Sequence, residues 1–221
     1  MDKEVVKKAI ESLKSFPKRK FKQSYDLIIN LKDINLKVPE EQVDAWVQLP
    51  HGTGKETKIC ALVGGELAEQ AKKVCNKVII NDEFKVFVGD KKKIKKLADE
   101  FDFFIAQVTM MQEIAKTFGR FFGPRGKMPN PKAGCVVPPN ANLAGLIERL
   151  KKTVHAVAKT QASVKCIVGN ESMSDDAVVD NVLAVYSAVT HSLPSEDNNV
   201  KSTLLKLTMS QPVVVGAEEK K

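Results

Sequence analysis

The segment His51-Gly52-Thr53-Gly54-Lys55-Glu56 carries the residue types of a phosphate-binding loop. That loop needs a further glycine where Leu49 stands, and a serine or threonine hydroxyl for magnesium where Glu56 stands. The pattern misses at both ends, and a carboxylate at Glu56 would repel phosphate, so nucleotide hydrolysis is not expected. Gly64-Gly65 follows an apolar run and opens a helical pattern, as dinucleotide folds begin. Glu66, Leu67 and Ala68 come directly after, so G-x-G-x-x-G is missing and a tight strand-to-helix turn accounts for both glycines. Cys60, Cys75, Cys135 and Cys166 form no C-x-x-C pair, and His51, His155 and His191 are far apart. Neither a metal site nor a disulfide framework is expected from such spacing. Asp175-Asp176 sits at a helix start, where carboxylates favour the helix dipole rather than chemistry. With no nucleophile elbow, zinc-protease helix or Cys–His pairing either, the expectation is a protein that is not an enzyme and uses no cofactor.

What remains is binding chemistry. The formal charge is +8 and the pI about 9.2, a surplus that favours polyanionic partners because each phosphate contact releases condensed counterions. The stretch from Gly119 to Gly134 (GRFFGPRGKMPNPKAG) joins glycines and prolines to Arg120, Arg125, Lys127 and Lys132. It is expected as an irregular loop with exposed amides and cations. Two readings of it stand open: a solvated basic connector, or a contact with a phosphate backbone. Lys91, Lys92, Lys93, Lys95 and Lys96 gather at a helix start, where cations oppose the dipole. Either an external anion offsets that cost or the run is simply solvated. Lys18-Arg19-Lys20-Phe21-Lys22 sets one aromatic ring among cations.

The elements that must position these residues change style along the chain. Val5, Val6, Ala9, Ile10 and Leu13 have helical spacing after Asp2, and Pro17 lies beyond the end. Tyr25, Leu27, Ile29 and Leu31 alternate with polar residues, the period of a half-exposed strand, and a second such strand runs through Ala45, Val47 and Leu49. From about residue 57 the strands become short and fully apolar (Ile59 to Val63, Val78 to Ile80, Phe103 to Ala106). Helical patterns over Glu66 to Val74, Lys91 to Phe101 and Thr109 to Phe118 separate them, and a helix from Leu143 to Lys152, capped by Asn142, closes the series. Such alternation predicts a parallel sheet covered on both faces. The half-exposed style then returns: a strand over Ser163 to Val168, a helix from about Asp175 to His191 capped by Ser174, and a last strand over roughly Val200 to Met209.

The first 56 residues and the last 70 or so are each too few for an independent core. The economical solution pairs them, giving an α+β domain of 1–57 plus 152–221 split by an α/β insertion at 58–151. Two connections, near 55–58 and 152–156, would then act as a hinge. Met1 to Lys8 is charged, and no run approaches about 18 apolar residues, so a cytoplasmic chain with no membrane partner is expected. The tail Glu218-Glu219-Lys220-Lys221 is too short for a basic nucleic-acid arm.

The Gly119–Gly134 stretch closely resembles the signature of the L-one family, the first protein of the large ribosomal subunit. Lys20-Phe21, Leu49-Pro50-His51-Gly52 with Gly54-Lys55, Asp102 to Ala106, Val168-Gly169-Asn170 and Leu207-Thr208-Met209 match that family in order, over nearly the whole chain, and look closest to archaeal members. The resemblance implies a split first domain and an inserted Rossmann-like α/β domain. It also implies binding to large-subunit rRNA of the 23S type at the base of the mobile stalk beside the exit site. Release of deacylated exit-site tRNA, and translational repression through the protein's own mRNA, are implied as well. The expected state is a monomer when free and ribosome-associated otherwise.

By the same resemblance the RNA-binding residues are Glu11, Lys20, Phe21, Lys165, Ser202, Thr208, Met209 and Ser210, with Arg125, Lys127 and Lys132 as secondary contacts. Lys20 and Lys165 would neutralise phosphates, and Ser202 and Thr208 would bond phosphate oxygens or the ribose 2′-OH. Phe21 would pack on the nucleotide surface and Glu11 accept from a base or ribose. On residue type alone, Phe21 and Met209 read equally as core residues and Glu11 as a solvated helix position. In the last strand Ser202, Lys206 and Thr208 share one face, and Thr203, Leu205, Leu207 and Met209 the other. The family usually has Gly where this chain has Ser210. The added Cβ either weakens a close backbone approach or is compensated by its hydroxyl, and the sequence does not decide between them.

Overall fold

The computed structural model describes residues 1–216; the tail Glu218-Glu219-Lys220-Lys221 lies outside the described residues. In chain order the elements are α1 (Lys3–Lys14), β1 (Ser24–Leu31), β2 (Val43–Gln48), β3 (Ile59–Val63), α2 (Gly65–Val74), β4 (Lys77–Ile80), α3 (Asn81–Phe87), α4 (Lys91–Glu100), β5 (Phe103–Gln107) and α5 (Met111–Phe122). They continue with β6 (Val136–Val137), α6 (Leu143–Lys151), β7 (Thr153–Ala158), β8 (Ser163–Asn170), α7 (Asp175–His191), β9 (Val200–Leu207) and β10 (Val213–Val215). The fold is mixed α/β, and the chain divides into two units, Met1–Lys55 with Lys152–Lys221, and Glu56–Lys151.

The first unit is built on an antiparallel sheet of order β10-β9-β1-β8, beside a two-stranded ribbon of β2 and β7. Alternation in β1 fixes which face is covered: Tyr25, Leu27, Ile29 and Leu31 are buried, while Ser24, Asp26, Ile28 and Asn30 are not. A one-residue slip would turn the apolar set to solvent, so burial specifies the register. Helices α1 and α7 cover the buried face with Val6, Ile10 and Leu13 from one and Val178, Val182, Val185 and Val189 from the other. Ion pairs Lys3–Asp180 (3.0 Å), Lys7–Asp176 (2.7 Å) and Lys14–Asp175 (2.6 Å) run along the two helices. Exposed as they are, they contribute little to stability, but they engage three lysines of α1.

The second unit has a parallel sheet of order β4-β3-β5-β6. In β3, Cys60 and Leu62 face a core with α3, α4 and α5, while Ile59, Ala61 and Val63 face one with α2 and α6. Burial on both faces is why this strand reads as a continuous apolar run.

Three expectations are corrected. Gly119 to Phe122 is not loop but the last turn of α5. Phe118 and Phe122, four residues apart, are both fully buried and stack at 5.3 Å. Burying one phenylalanine contributes about 1.5–3 kcal/mol, more than the roughly 1 kcal/mol that Gly119 costs inside a helix. Residues 153–156 are not an open connection, because β7 starts at Thr153 and pairs with β2. The last strand ends at Leu207, and Met209 leaves the buried face because the chain turns there, with the Ser210 amide donating to the Leu207 carbonyl. No helix among the described residues is long and apolar enough to cross a membrane.

Candidate nucleic-acid interface

The face of the four-stranded sheet opposite α1 and α7 carries side chains that are half-buried or exposed. Register arranges them in rows. Ser202, Asn30 and Ser163 form one row, with the Asn30 amide donating to Ser202 Oγ at 2.9 Å. Val214, Leu204, Ile28 and Lys165 form the next, then Lys206, Asp26 and Ile167. At the end of β9, the Ser24 amide donates to Thr208 Oγ1 at 3.1 Å and the Thr208 amide donates back to the Ser24 carbonyl at 3.1 Å. Three of the expected residues, Lys165, Ser202 and Thr208, therefore meet on or at the end of one face with Lys206, Asn30 and Ser163. Cations and hydroxyls over a half-apolar floor suit a sugar–phosphate surface.

Beyond Thr208 the turn presents Met209, 61% exposed, and the chain before β1 presents Phe21, 51% exposed. Neither is a core residue. Gln23, 3% exposed, binds this corner together although nothing in the sequence singled it out. Its Oε1 accepts from the Met209 amide (3.1 Å), its Nε2 donates to Glu171 Oε1 (3.2 Å), and its backbone amide donates to Glu171 Oε2 (2.9 Å). The Glu171 amide in turn donates to the Gln23 carbonyl at 3.0 Å. Phe16, Pro17, Arg19, Gln23, Met209 and Ser210 line one groove, so the basic segment and the turn are neighbours. A buried glutamine is read from sequence only when its partners are known, and these lie 148 and 186 residues away.

Ser210 has an ordinary backbone conformation; among the described non-glycine residues, positive φ occurs at Asp33 and Glu196. Its hydroxyl accepts from the Leu207 amide at 2.8 Å, and so closes the turn from within. Glycine is thus not required here by the backbone. Lys20 is exposed in the basic segment. Glu11 is exposed on α1, the helix packed on the sheet's other face, and is not among the residues the open face brings together.

The His51–Lys55 segment is a pinned turn. Gly52 and Gly54 have φ of 67° and 69°. The buried Asn181 accepts from the His51 amide (3.1 Å) and donates to the carbonyls of Gly52 (2.7 Å) and Val168 (2.8 Å). Asn170 donates to the Gly54 carbonyl at 2.8 Å. Two asparagines therefore hold what resembled a phosphate loop.

In the second unit, the Lys127 ammonium donates to the carbonyls of Ala98 and Phe101, both at 2.7 Å, capping the end of α4. Arg125 donates to the Lys95 carbonyl (3.1 Å) and pairs with Asp99 (2.6 Å). Two of the three secondary candidates are thus engaged within the fold, whereas Lys132 is exposed and its backbone amide donates to the Asn130 side chain. Asp90 caps α4 by accepting from the Lys93 amide at 3.1 Å, and Lys91, Lys92, Lys95 and Lys96 are exposed.

Burial pushes the Asp26 carboxyl above its ordinary range, with Lys206 pulling the other way. Burial pushes the Tyr25 hydroxyl and the Cys60 and Cys166 thiols up to about 12, so none is a ready nucleophile. Among the described residues no group of three His, Cys, Asp or Glu side chains could hold a metal ion.

Comparison with known proteins identifies the family. The chain is 44% identical to the large ribosomal subunit protein uL1 of Methanothermococcus thermolithotrophicus, over 97% of its own length and 99% of the relative's. Proteins of the same name from Methanocaldococcus jannaschii and Thermococcus kodakarensis are 40% and 38% identical, over 100% and 97% of this chain and 99% and 98% of theirs. The model of the ribosomal protein L1p/L10e family matches residues 13–211, so the chain belongs to that family.

Proposed function

We propose that this protein is a structural constituent of the large ribosomal subunit that binds large-subunit rRNA through the open face of its split sheet. It is a ribosomal protein and not an enzyme. The observation that carries the reading is the convergence of Lys165, Lys206, Ser202 and Thr208 on the uncovered side of a sheet whose other side is fully packed, with Phe21 and Met209 exposed at its corner. Lys20, Lys165 and Lys206 neutralise phosphates, and Ser202 and Thr208 bond the ribose–phosphate chain. Ser210 shapes the turn, Glu11 is a peripheral contact, and Lys132 is a secondary one.

The finer reading places the RNA at a junction at the base of the mobile stalk beside the exit site. The protein there assists release of deacylated tRNA and represses translation by binding its own mRNA. It is a monomer when free, and cytoplasmic. Its domains are 1–57 plus 152–221, which holds the main site, and 58–151. Deleting 58–151 then leaves rRNA affinity nearly intact, and a collapse of affinity overturns that division.

The deciding experiment is a salt titration against a large-subunit stalk fragment beside a scrambled RNA. The reading expects much tighter binding to the fragment, with log affinity falling against log salt by about 0.7–0.9 per neutralised phosphate. Equal, weak binding to both RNAs overturns it.

A further inference from the structure

Asp26 is half-buried near the middle of the open face, in register between Lys206 on β9 and Ile167 on β8. Among the described residues its carboxylate makes no hydrogen bond and no ion pair. Lys206, the nearest cation by register, turns its ammonium to the Thr208 carbonyl instead, at 3.2 Å. The other neighbours on that side are Ile28 and Ser24 of its own strand and Lys165 beyond Ile28, and the half-buried Cys166 lies close by. Partial burial already disfavours its charge, and the attraction of Lys206 offsets this only in part. An unpartnered carboxylate is therefore out of place on a surface that receives phosphates, because it repels them.

A carboxylate can only accept hydrogen bonds. The arrangement becomes favourable once a docked RNA brings a donor, and an RNA helix offers two kinds away from its phosphates. These are the ribose 2′-OH and the guanine 2-amino group, both displayed in the wide, shallow minor groove. We infer, building on the RNA-binding reading above, that Asp26 is a specificity-determining residue which accepts a hydrogen bond from a minor-groove donor of the RNA. Lys165 and Lys206 hold the backbone on either side, and a surface lacking that donor meets an uncompensated negative charge. Asp26 thereby separates RNA from equally charged polyanions that the lysines alone would accept.

The test uses the full-length chain with the stalk fragment, its single 2′-deoxy variants, its single guanosine-to-inosine variants and the scrambled RNA. Asp26→Ala is expected to weaken fragment binding about ten- to a hundredfold, the range of a hydrogen bond to a charged group, with the salt slope unchanged. One substituted RNA should weaken the unmodified protein by a similar factor while leaving Asp26→Ala no weaker. A 2′-deoxy position with that behaviour identifies the ribose donor, and an inosine position identifies guanine. Asp26→Asn, which keeps the shape and one acceptor, should lie between the two proteins. Its thermal midpoint serves as the check on folding. If Asp26→Asn and Asp26→Ala bind the fragment as tightly as the unmodified protein or more tightly, the carboxylate is merely repulsive and this inference is overturned. If the unmodified protein itself fails to prefer the fragment over scrambled RNA, it is the RNA-binding reading that falls.

Discussion

Trp46 lies flat on His155, with ring centroids 3.8 Å apart and planes 3° from parallel. The two residues face each other across β2 and β7, and Asp44, two residues before Trp46 on β2, holds the imidazole at its edge, His155 Nε2 to Asp44 Oδ1 being 2.6 Å. Lys159 completes the set, its ammonium 2.7 Å from Asp44 Oδ2. Burial pushes the Asp44 carboxyl up, but the bonds and charges of His155 and Lys159 outweigh it and hold it below the ordinary carboxylate range.

That depressed carboxyl sets a sign. A group ionising more readily when folded contributes stability above its unfolded pKa of about 3.9, and loses it as pH falls through the folded value. Asp44→Asn should be less stable than the unmodified protein at neutral pH by on the order of 1 kcal/mol, and the gap should close in acid. Urea melts followed by Trp46 fluorescence at a series of pH values measure this directly, and a gap that widens in acid contradicts it.

Gly54 should not tolerate alanine. Its φ is 69°, and a Cβ there would stand 2.6 Å from Asn170 Nδ2. Gly54→Ala is expected to cost about 1–3 kcal/mol in chemical denaturation, from the backbone conformation together with displacement of Asn170. Adding Asn170→Ala removes the clash but not the strain, so the double variant should recover only part of the loss.

Asn181 serves three backbone groups from a fully buried position. Asn181→Ala strands them and should cost about 2–4 kcal/mol. Asn181→Asp keeps the acceptor for His51 but points a carboxylate at two carbonyl oxygens. It should be the worse variant at neutral pH and improve as pH falls toward the carboxylate range.

Gln23 and Lys165 should fail in different ways. On the proposed function Lys165→Ala removes a phosphate contact, so it should reduce the salt slope of RNA binding by about 0.7–0.9. Gln23→Ala leaves the charges alone and frees the Met209 turn, so affinity should drop about tenfold with the slope unchanged, alongside faster hydrogen exchange at the Met209 amide. Equal slopes in both variants would remove Lys165 from the interface.

Lys127→Met tests the loop of the second unit. Losing two bonds to the end of α4 should destabilise that unit by about 1–3 kcal/mol while leaving RNA affinity at permissive temperature within about twofold. A large loss of affinity without a loss of stability would return this lysine to the RNA surface.

Elements with strong periodicity were legible in the sequence. The alternation through Tyr25, Leu27, Ile29 and Leu31, and the apolar run Ile59 to Val63, have the faces their patterns imply. β7 was not legible, although Thr153 to Ala158 alternates in burial, because residues at an expected hinge are easily taken as connection. Nor was α5 beyond Phe118, where a glycine at 119 outweighed the Phe118–Phe122 spacing. At the site, the family resemblance pointed to Lys165 and Ser202, and alternation set Ser202 on one face of the last strand with Lys206. The end of β9 was hidden, because it depends on Ser210 folding its hydroxyl back on Leu207. Gln23, Asn170 and Asn181 were invisible as anchors, since each acts on backbone groups far away in the chain.

Strand β1 is flanked in the sheet by β8 and β9, and Asn30 meets Ser202 across 172 positions. The open face therefore does not exist while the chain is being made. Residues 24–31 leave synthesis with neither neighbouring strand, and the surface closes only after β9 follows. A product stopped within the middle unit has the basic segment and Phe21 but no face to mount them on. The sheet thus joins strands from both sides of the middle unit, and its open face forms only once β9 is available to pair with β1.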